Sequence, residues 1–196
     1  MQKTIENSLE KALTYQEYRN LVATLVDEGK STGLQQSNDL ANYSLLNHKR
    51  MKRLDKTIKL SQETIAKTLE IDKNQTWLVL TESWCGDAAQ TLPVINKIAE
   101  TSTHINLKIV LKDDNEELMN HFLTNGGKSI PKLIALDENN NVVNTWGPRP
   151  KVAVKMVADY KDLHGALDTD FKKELQIWYN KNKGESIQND IVLLLN

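Results

Sequence analysis

The segment SWCGDAAQTLP, Ser83 to Pro93, holds the chain's single cysteine, Cys85, where the apolar run Thr76 to Thr81 gives way to a helical pattern. A cysteine at such a junction faces unpaired backbone N–H groups and the positive end of a helix dipole, and both favour thiolate over thiol. Cys85 is therefore a candidate reactive thiol, and a Trp-Cys-Gly turn in this position predicts that it is partly exposed. Three positions on, where a dithiol site would carry its second sulfur, the residue is Ala88. Asp87 is placed to cap the helix, but its carboxylate also opposes a thiolate beside it. Pro93 lies inside the helical stretch Asp87 to Glu100, where it cannot donate a backbone hydrogen bond and predicts a kink.

Working outward, Trp77 to Leu80 is a short continuous apolar run of the kind found in a central strand buried on both faces. Downstream, Ile105 to Leu111 reads as a strand, Asn115 to Leu123 as a short helix, and GGKSIPKLIAL (Gly126 to Leu136) as a turn leading into a strand. The polar turn Asp137 to Asn141 joins it to Val142 to Trp146 with hairpin spacing. Helices are expected at Lys151 to Leu163, Thr169 to Asn180 and Ser186 to Leu195. Upstream, Thr14 and Glu17 have capping-box spacing ahead of a stripe from Tyr15 to Val26, predicting a helix over Thr14 to Gly29. After the polar linker Ser31 to Asp39, a second helical region runs from Leu40 to Glu70, with a break near Leu60 and Ser61. Its expected buried stripe is Tyr43, Leu46, Met51, Leu54, Ile58, Ile65 and Leu69.

The 196 residues suit one compact unit, divided for description into a helical extension (1–73), a core (74–165) and C-terminal helices (166–196). Twenty-five basic and 26 acidic residues leave a net charge of -1, which offers no whole-molecule case for nucleic acid or a membrane surface. No apolar run is long enough for a membrane helix. A single cysteine forms no internal disulfide, in keeping with a cytoplasmic protein. The four histidines are scattered and one cysteine completes no protein-only zinc site, so no metal is expected. Gly126-Gly127-Lys128 lacks the spacing of a phosphate loop. The basic run HKRMKRLDK, His48 to Lys56, reads as a solvated helix face around Met51 and Leu54.

The order strand, Trp-Cys-Gly turn, kinked helix, strand, helix, Ile-Pro, hairpin, helix resembles the thioredoxin superfamily. Trp84-Cys85-Gly86 matches the family's Trp-Cys-Gly, Pro93 its helix-kinking proline, and Ile130-Pro131, 46 positions beyond Cys85, the place of its cis-proline. The resemblance covers Gln75 to Leu163 and is nearest to bacterial thioredoxin-like proteins with a helical N-terminal extension. It implies an α/β thioredoxin-like fold, a central mixed sheet flanked by helices, with the extra helices at both ends packed on it. It further implies that Cys85 is the nucleophile and that Ile130 and Pro131 offer an edge to a substrate strand. Trp84, Gly86 and Asp87 would line the site, and Trp146, Gly147 and Arg149 would border its groove, with Arg149 free to hold a substrate carboxylate.

Two departures shape the expected activity. Ala88 replaces the resolving cysteine, and Val79 stands six positions before Cys85, where the family buries an acid that assists proton transfer. Both losses fall on resolution and leave attack intact, which suits a monothiol thiol–disulfide oxidoreductase whose mixed disulfide is released by an external thiol. The expected partners are a disulfide-containing protein or peptide, or a low-molecular-weight thiol such as glutathione, with no resident cofactor. A redox-silent peptide-binding module is the alternative, and a shared iron–sulfur cluster on a homodimer a third reading.

Overall fold

Trp77 to Leu80 are buried on both faces because the strand that carries them is paired on both sides and covered above and below. In the computed structural model, which describes residues 1–195, this strand is β1 (Gln75–Thr81) of a four-stranded mixed sheet. β2 (Ile105–Leu111) runs parallel to it, in register from Gln75 opposite Ile105 to Thr81 opposite Leu111. β3 (Lys132–Leu136) and β4 (Val142–Trp146) follow antiparallel, giving the order β2-β1-β3-β4.

Four helices precede the sheet: α1 (Gln2–Glu10), α2 (Tyr15–Asp27), α3 (Asn38–Thr57) and α4 (Gln62–Leu69). Thr14 caps α2 by accepting from the Glu17 N–H while the Glu17 carboxylate accepts from the Thr14 N–H, the expected capping box. Ser61 caps α4, which places the break between α3 and α4 at 58–61. α1 has no counterpart in the sequence reading, because its residues are mostly polar and only Thr4, Ile5 and Ser8 are buried. Between α1 and α2, Leu13 exchanges two backbone hydrogen bonds with Ile109, closing the outer edge of β2 with a single bridge.

α5 (Gly86–Ala99) follows β1 and carries Pro93 in its interior. Eleven of its residues are buried, a wider face than the expected Ala88, Leu92, Ile95 and Ala99. The sheet covers one side of α5, and α3, α4 and the last helix cover the other. Enclosure on both sides buries the helix nearly all round, polar Asp87, Gln90 and Thr91 included, and only Asn96, Lys97 and Gly86 interrupt the burial. The stretch expected to form one helix at Asn115 to Leu123 is a 3₁₀ turn, Asp113–Asn115, running into α6 (Glu116–His121). α7 (Lys151–His164), α8 (Thr169–Asn182) and α9 (Glu185–Val192) complete the chain. α9 buries Ile187, Ile191 and Val192 against α5, so the C-terminal segment belongs to the core.

The expected buried stripe of α3 and α4 is shifted. Tyr43, Leu46 and Leu69 are exposed, at 46%, 44% and 61%, and the buried residues of α3 are Ser44, Asn47, Met51 and Leu54. Polar residues occupy the first half of that face because it meets the polar turn leading to Cys85. No helix among the described residues is long and apolar enough to cross a membrane.

Candidate functional site

Strand β1 ends on Thr81, and Glu82, Ser83 and Trp84 form the turn that delivers Cys85 to the N-cap of α5. The Cys85 Sγ caps the helix by accepting from the Ala88 N–H at 3.4 Å, so the residue standing where a second thiol would be expected contributes only its backbone donor. On its other side the Cys85 thiol donates to the Ile130 carbonyl at 3.3 Å. The Ile130–Pro131 peptide is cis, as is Gly147–Pro148. The two Pro segments lie back to back: Gly147 has φ +115, and a side chain there would collide with the Pro131 carbonyl. Cys85, Ile130, Pro131 and Gly147 are thus brought together.

Cys85 is 8% exposed, against the partial exposure expected from its turn. Burial pushes its thiol up to about 12, the Asp87 carboxylate adds to the rise, and the Ala88 and Asp87 N–H groups and Arg149 oppose it. The helix N-terminus does favour the thiolate, but desolvation outweighs it. Side chains of the C-terminal helices stand over the residues that follow Cys85. Gln176 on α8 sits with its Nε2 3.2 Å from where a Gly86 side chain would begin, and its Oε1 accepts from Gln90 Nε2 at 2.9 Å. Tyr179, one turn on, donates its hydroxyl to Asp87 Oδ1 at 2.9 Å. α8 is held over the site by these side chains and by burying Phe171, Leu175 and Tyr179 in the core.

Arg149 is not free to receive a substrate carboxylate. Its Nη2 lies 2.6 Å from Asp87 Oδ2, so Asp87 is held between Arg149 and Tyr179. Burial pushes the Asp87 carboxyl above its usual range, while Arg149 and Tyr179 pull it back. Trp146 does not border an open groove either. It is buried, and its indole N–H donates to Asp190 on α9 at 3.1 Å, the carboxylate oxygen that also accepts from the Lys151 N–H. Trp84 is half-buried, with the Lys112 ammonium 5.9 Å from its ring centroid.

The turn before Cys85 is fixed by residues outside the sequence-derived site. The Ser83 hydroxyl meets the Thr32 N–H at 2.9 Å, the Thr32 hydroxyl at 3.1 Å and the Ser44 hydroxyl at 2.6 Å. The Ser83 N–H donates to Thr32 Oγ1, and its carbonyl accepts from Asn47 Nδ2. Asn47 in turn accepts from Arg50 Nη1 at 2.9 Å. Ser44, Asn47, Met51 and Leu54 share one face of α3 by their spacing, so the polar continuation of an apolar stripe was the available signal. Val79 is fully buried. The turn itself carries a buried acid, Glu82, whose Oε1 accepts from the Asp113 N–H and whose carboxyl burial pushes up. Arg53 of the same basic run turns away to Asn180. No cluster of His, Cys, Asp and Glu among the described residues is placed to hold a metal ion.

A thioredoxin family model matches residues 33–161, so the match begins ahead of α3 and takes in α3 and α4 but not α1 and α2. A crystallised HIV epitope scaffold is similar to the chain at a TM-score of 0.57 and 19% identity, covering 93% of this chain and 98% of its own. A crystallised protein of unknown function from Pseudomonas aeruginosa is similar at a TM-score of 0.54 and 18% identity, covering 93% and 97%. At these identities the likeness is one of fold. No curated protein matches the chain.

Proposed function

The chain belongs to the thioredoxin family, and from that premise we propose that it is a monothiol thiol–disulfide exchange protein with Cys85 as its nucleophile. The observation that carries the reading is the Cys85 sulfur at the N-cap of α5, 3.3 Å from the carbonyl that precedes cis Pro131. In the exchange the Cys85 thiolate attacks one sulfur of a disulfide RSSR. The Cys85–SR bond forms, the original S–S bond breaks, and RS⁻ leaves and takes up the proton Cys85 gave to solvent. Ala88 supplies no second sulfur, so a further thiolate R′S⁻ releases Cys85 by attacking the mixed disulfide and forming RSSR′. A reducing cytosolic compartment, with its pool of small thiols, suits that cycle.

The resting protein is slow by design of its surroundings. With burial pushing the thiol up to about 12, only a very small fraction of the protein is thiolate at neutral pH. The greater nucleophilicity of a more basic thiolate restores only a factor of tens. Intact mass after incubation with oxidised glutathione tests the reading: a single adduct forms on the native protein and is absent from Cys85→Ser. Native protein that stays unmodified over hours at mildly alkaline pH overturns it.

A second reading has its own support. A cysteine 8% exposed, with its S–H given to Ile130, is also what a redox-silent thioredoxin-fold binding module would carry. For such a module Cys85→Ser leaves partner affinity unchanged, whereas the exchange protein loses covalent capture.

A further inference from the structure

We propose that Arg50 is the specificity residue of the Cys85 site, and that it selects small disulfides bearing a carboxylate near the sulfur. The inference rests on the exchange reading above. Among the arginines, Arg19 is paired with Asp55 and Arg149 with Asp87. Arg50 and Arg53 have no carboxylate at ion-pair distance among the described residues, and their partners are the neutral amides Asn47 and Asn180. Arg50 is half-buried, and burial together with the nearby Arg53 cation disfavours its charge. A partly desolvated cation beside a second cation lacks the counter-charge that such groups usually have.

The guanidinium is also aimed. Asn47 is buried and bridges Ser83 O to Arg50 Nη1, which ties the cation rigidly to the turn before Cys85. Arg50 Nη1 lies 3.8 Å from where a side chain on Gly86 would begin, and Gly86 has none. The cation therefore stands over the first residue after the nucleophile, on the flank where the α5 dipole is positive. Asp87, the nearest acid in sequence, is fully engaged by Arg149 and Tyr179 and leaves Arg50 to an outside anion. The substrate is small because the approaches a peptide would need are taken. The Ile130 carbonyl accepts the Cys85 thiol, Trp146 is buried against Asp190, and Gln176 covers Gly86.

The test compares capture of oxidised glutathione with capture of the same disulfide carrying esterified carboxylates, by intact mass over time, in the native chain and in Arg50→Gln. Glutamine keeps a donor for Asn47, and the half-exposed position tolerates it, so equal thermal midpoints establish that both proteins are folded. The expected result is that Arg50→Gln slows capture of the acid about tenfold, the effect of one charge-assisted contact, and leaves the ester rate unchanged. Added salt slows the acid with the native chain only. If both probes form adducts and the ratio of their rates is the same in the two proteins, Arg50 has no selective role while the exchange activity stands. If neither probe modifies the native chain, both the exchange reading and this inference fall.

Discussion

At Cys85 the decisive competition is between a helix N-terminus and burial. The Ala88 and Asp87 N–H groups and Arg149 favour the thiolate, yet desolvation and the Asp87 charge together hold the thiol up to about 12. Asp87 is the lever open to mutation, since Asp87→Asn removes a negative charge and leaves an amide oxygen to receive Tyr179. We expect this variant to lower the thiol pKa and to raise the rate of alkylation by iodoacetamide at fixed neutral pH by roughly tenfold, the effect of about one unit. Thiolate absorbance during a pH titration reads the shift directly, and an unchanged midpoint would mean that Asp87 is electrostatically silent. The same numbers give a linkage. The folded thiol is raised above the ordinary cysteine value, so its contribution to stability is fully present below about pH 9 and is lost as pH climbs towards about 12. The stability difference between the native chain and Cys85→Ala therefore shifts against the native chain over that window, at up to about 1.4 kcal/mol per pH unit. Denaturant melts at mildly and strongly alkaline pH measure it, and a constant difference contradicts it.

At the scale of elements, the active-site turn is held by helices that precede the sheet. Ser83 joins the segment after α2, through Thr32, to α3, through Ser44 and Asn47. Ser83→Ala leaves the Thr32 N–H and the Ser44 hydroxyl buried without their Ser83 partner, which costs about 2 kcal/mol. Urea unfolding should show the midpoint fall with an unchanged slope; a loss below about 0.5 kcal/mol would mean that the turn is fixed by packing alone. This junction also marks where the sequence stops being readable. β1, β2, β4, the capping box of α2 and the break before α4 follow from local pattern, because each is decided by residues a few positions apart. The face of α3 is not local. Tyr43 and Leu46 look like its apolar stripe, but Ser44 and Asn47 are buried in their place because the groups they satisfy lie 39 and 36 positions away. The partners of Arg149 and Trp146 are equally remote in sequence: α5 supplies Asp87 to one and α9 supplies Asp190 to the other. α1 leaves no apolar stripe in the sequence because it buries little apolar surface.

For the whole molecule, the question is whether the helices at the two ends are appendages or parts of one cooperative structure. Their buried residues argue for one structure. Ile5 of α1, Tyr18 and Val22 of α2, Met51 of α3 and Ile187 and Ile191 of α9 join the same core cluster as Leu78, Leu92 and Ile134. α5 is enclosed only because α3 and α9 cover the side the sheet leaves open, so removing either end exposes Val94 and its neighbours to water. The family match, residues 33–161, takes in α3 and α4 and stops before α8 and α9. The four tryptophans, Trp77, Trp84, Trp146 and Trp178, all lie beyond α4, whereas the first 70 residues contribute a large share of the helix. Tryptophan fluorescence thus reports the sheet and the C-terminal helices, and far-ultraviolet circular dichroism reports the N-terminal helices as well. If the chain is one cooperative unit, the two probes trace superimposable urea curves with a single midpoint. A fall in circular dichroism that precedes the change in fluorescence would show that α1 to α4 unfold first, and would make Ser83 an anchor between two separately stable parts.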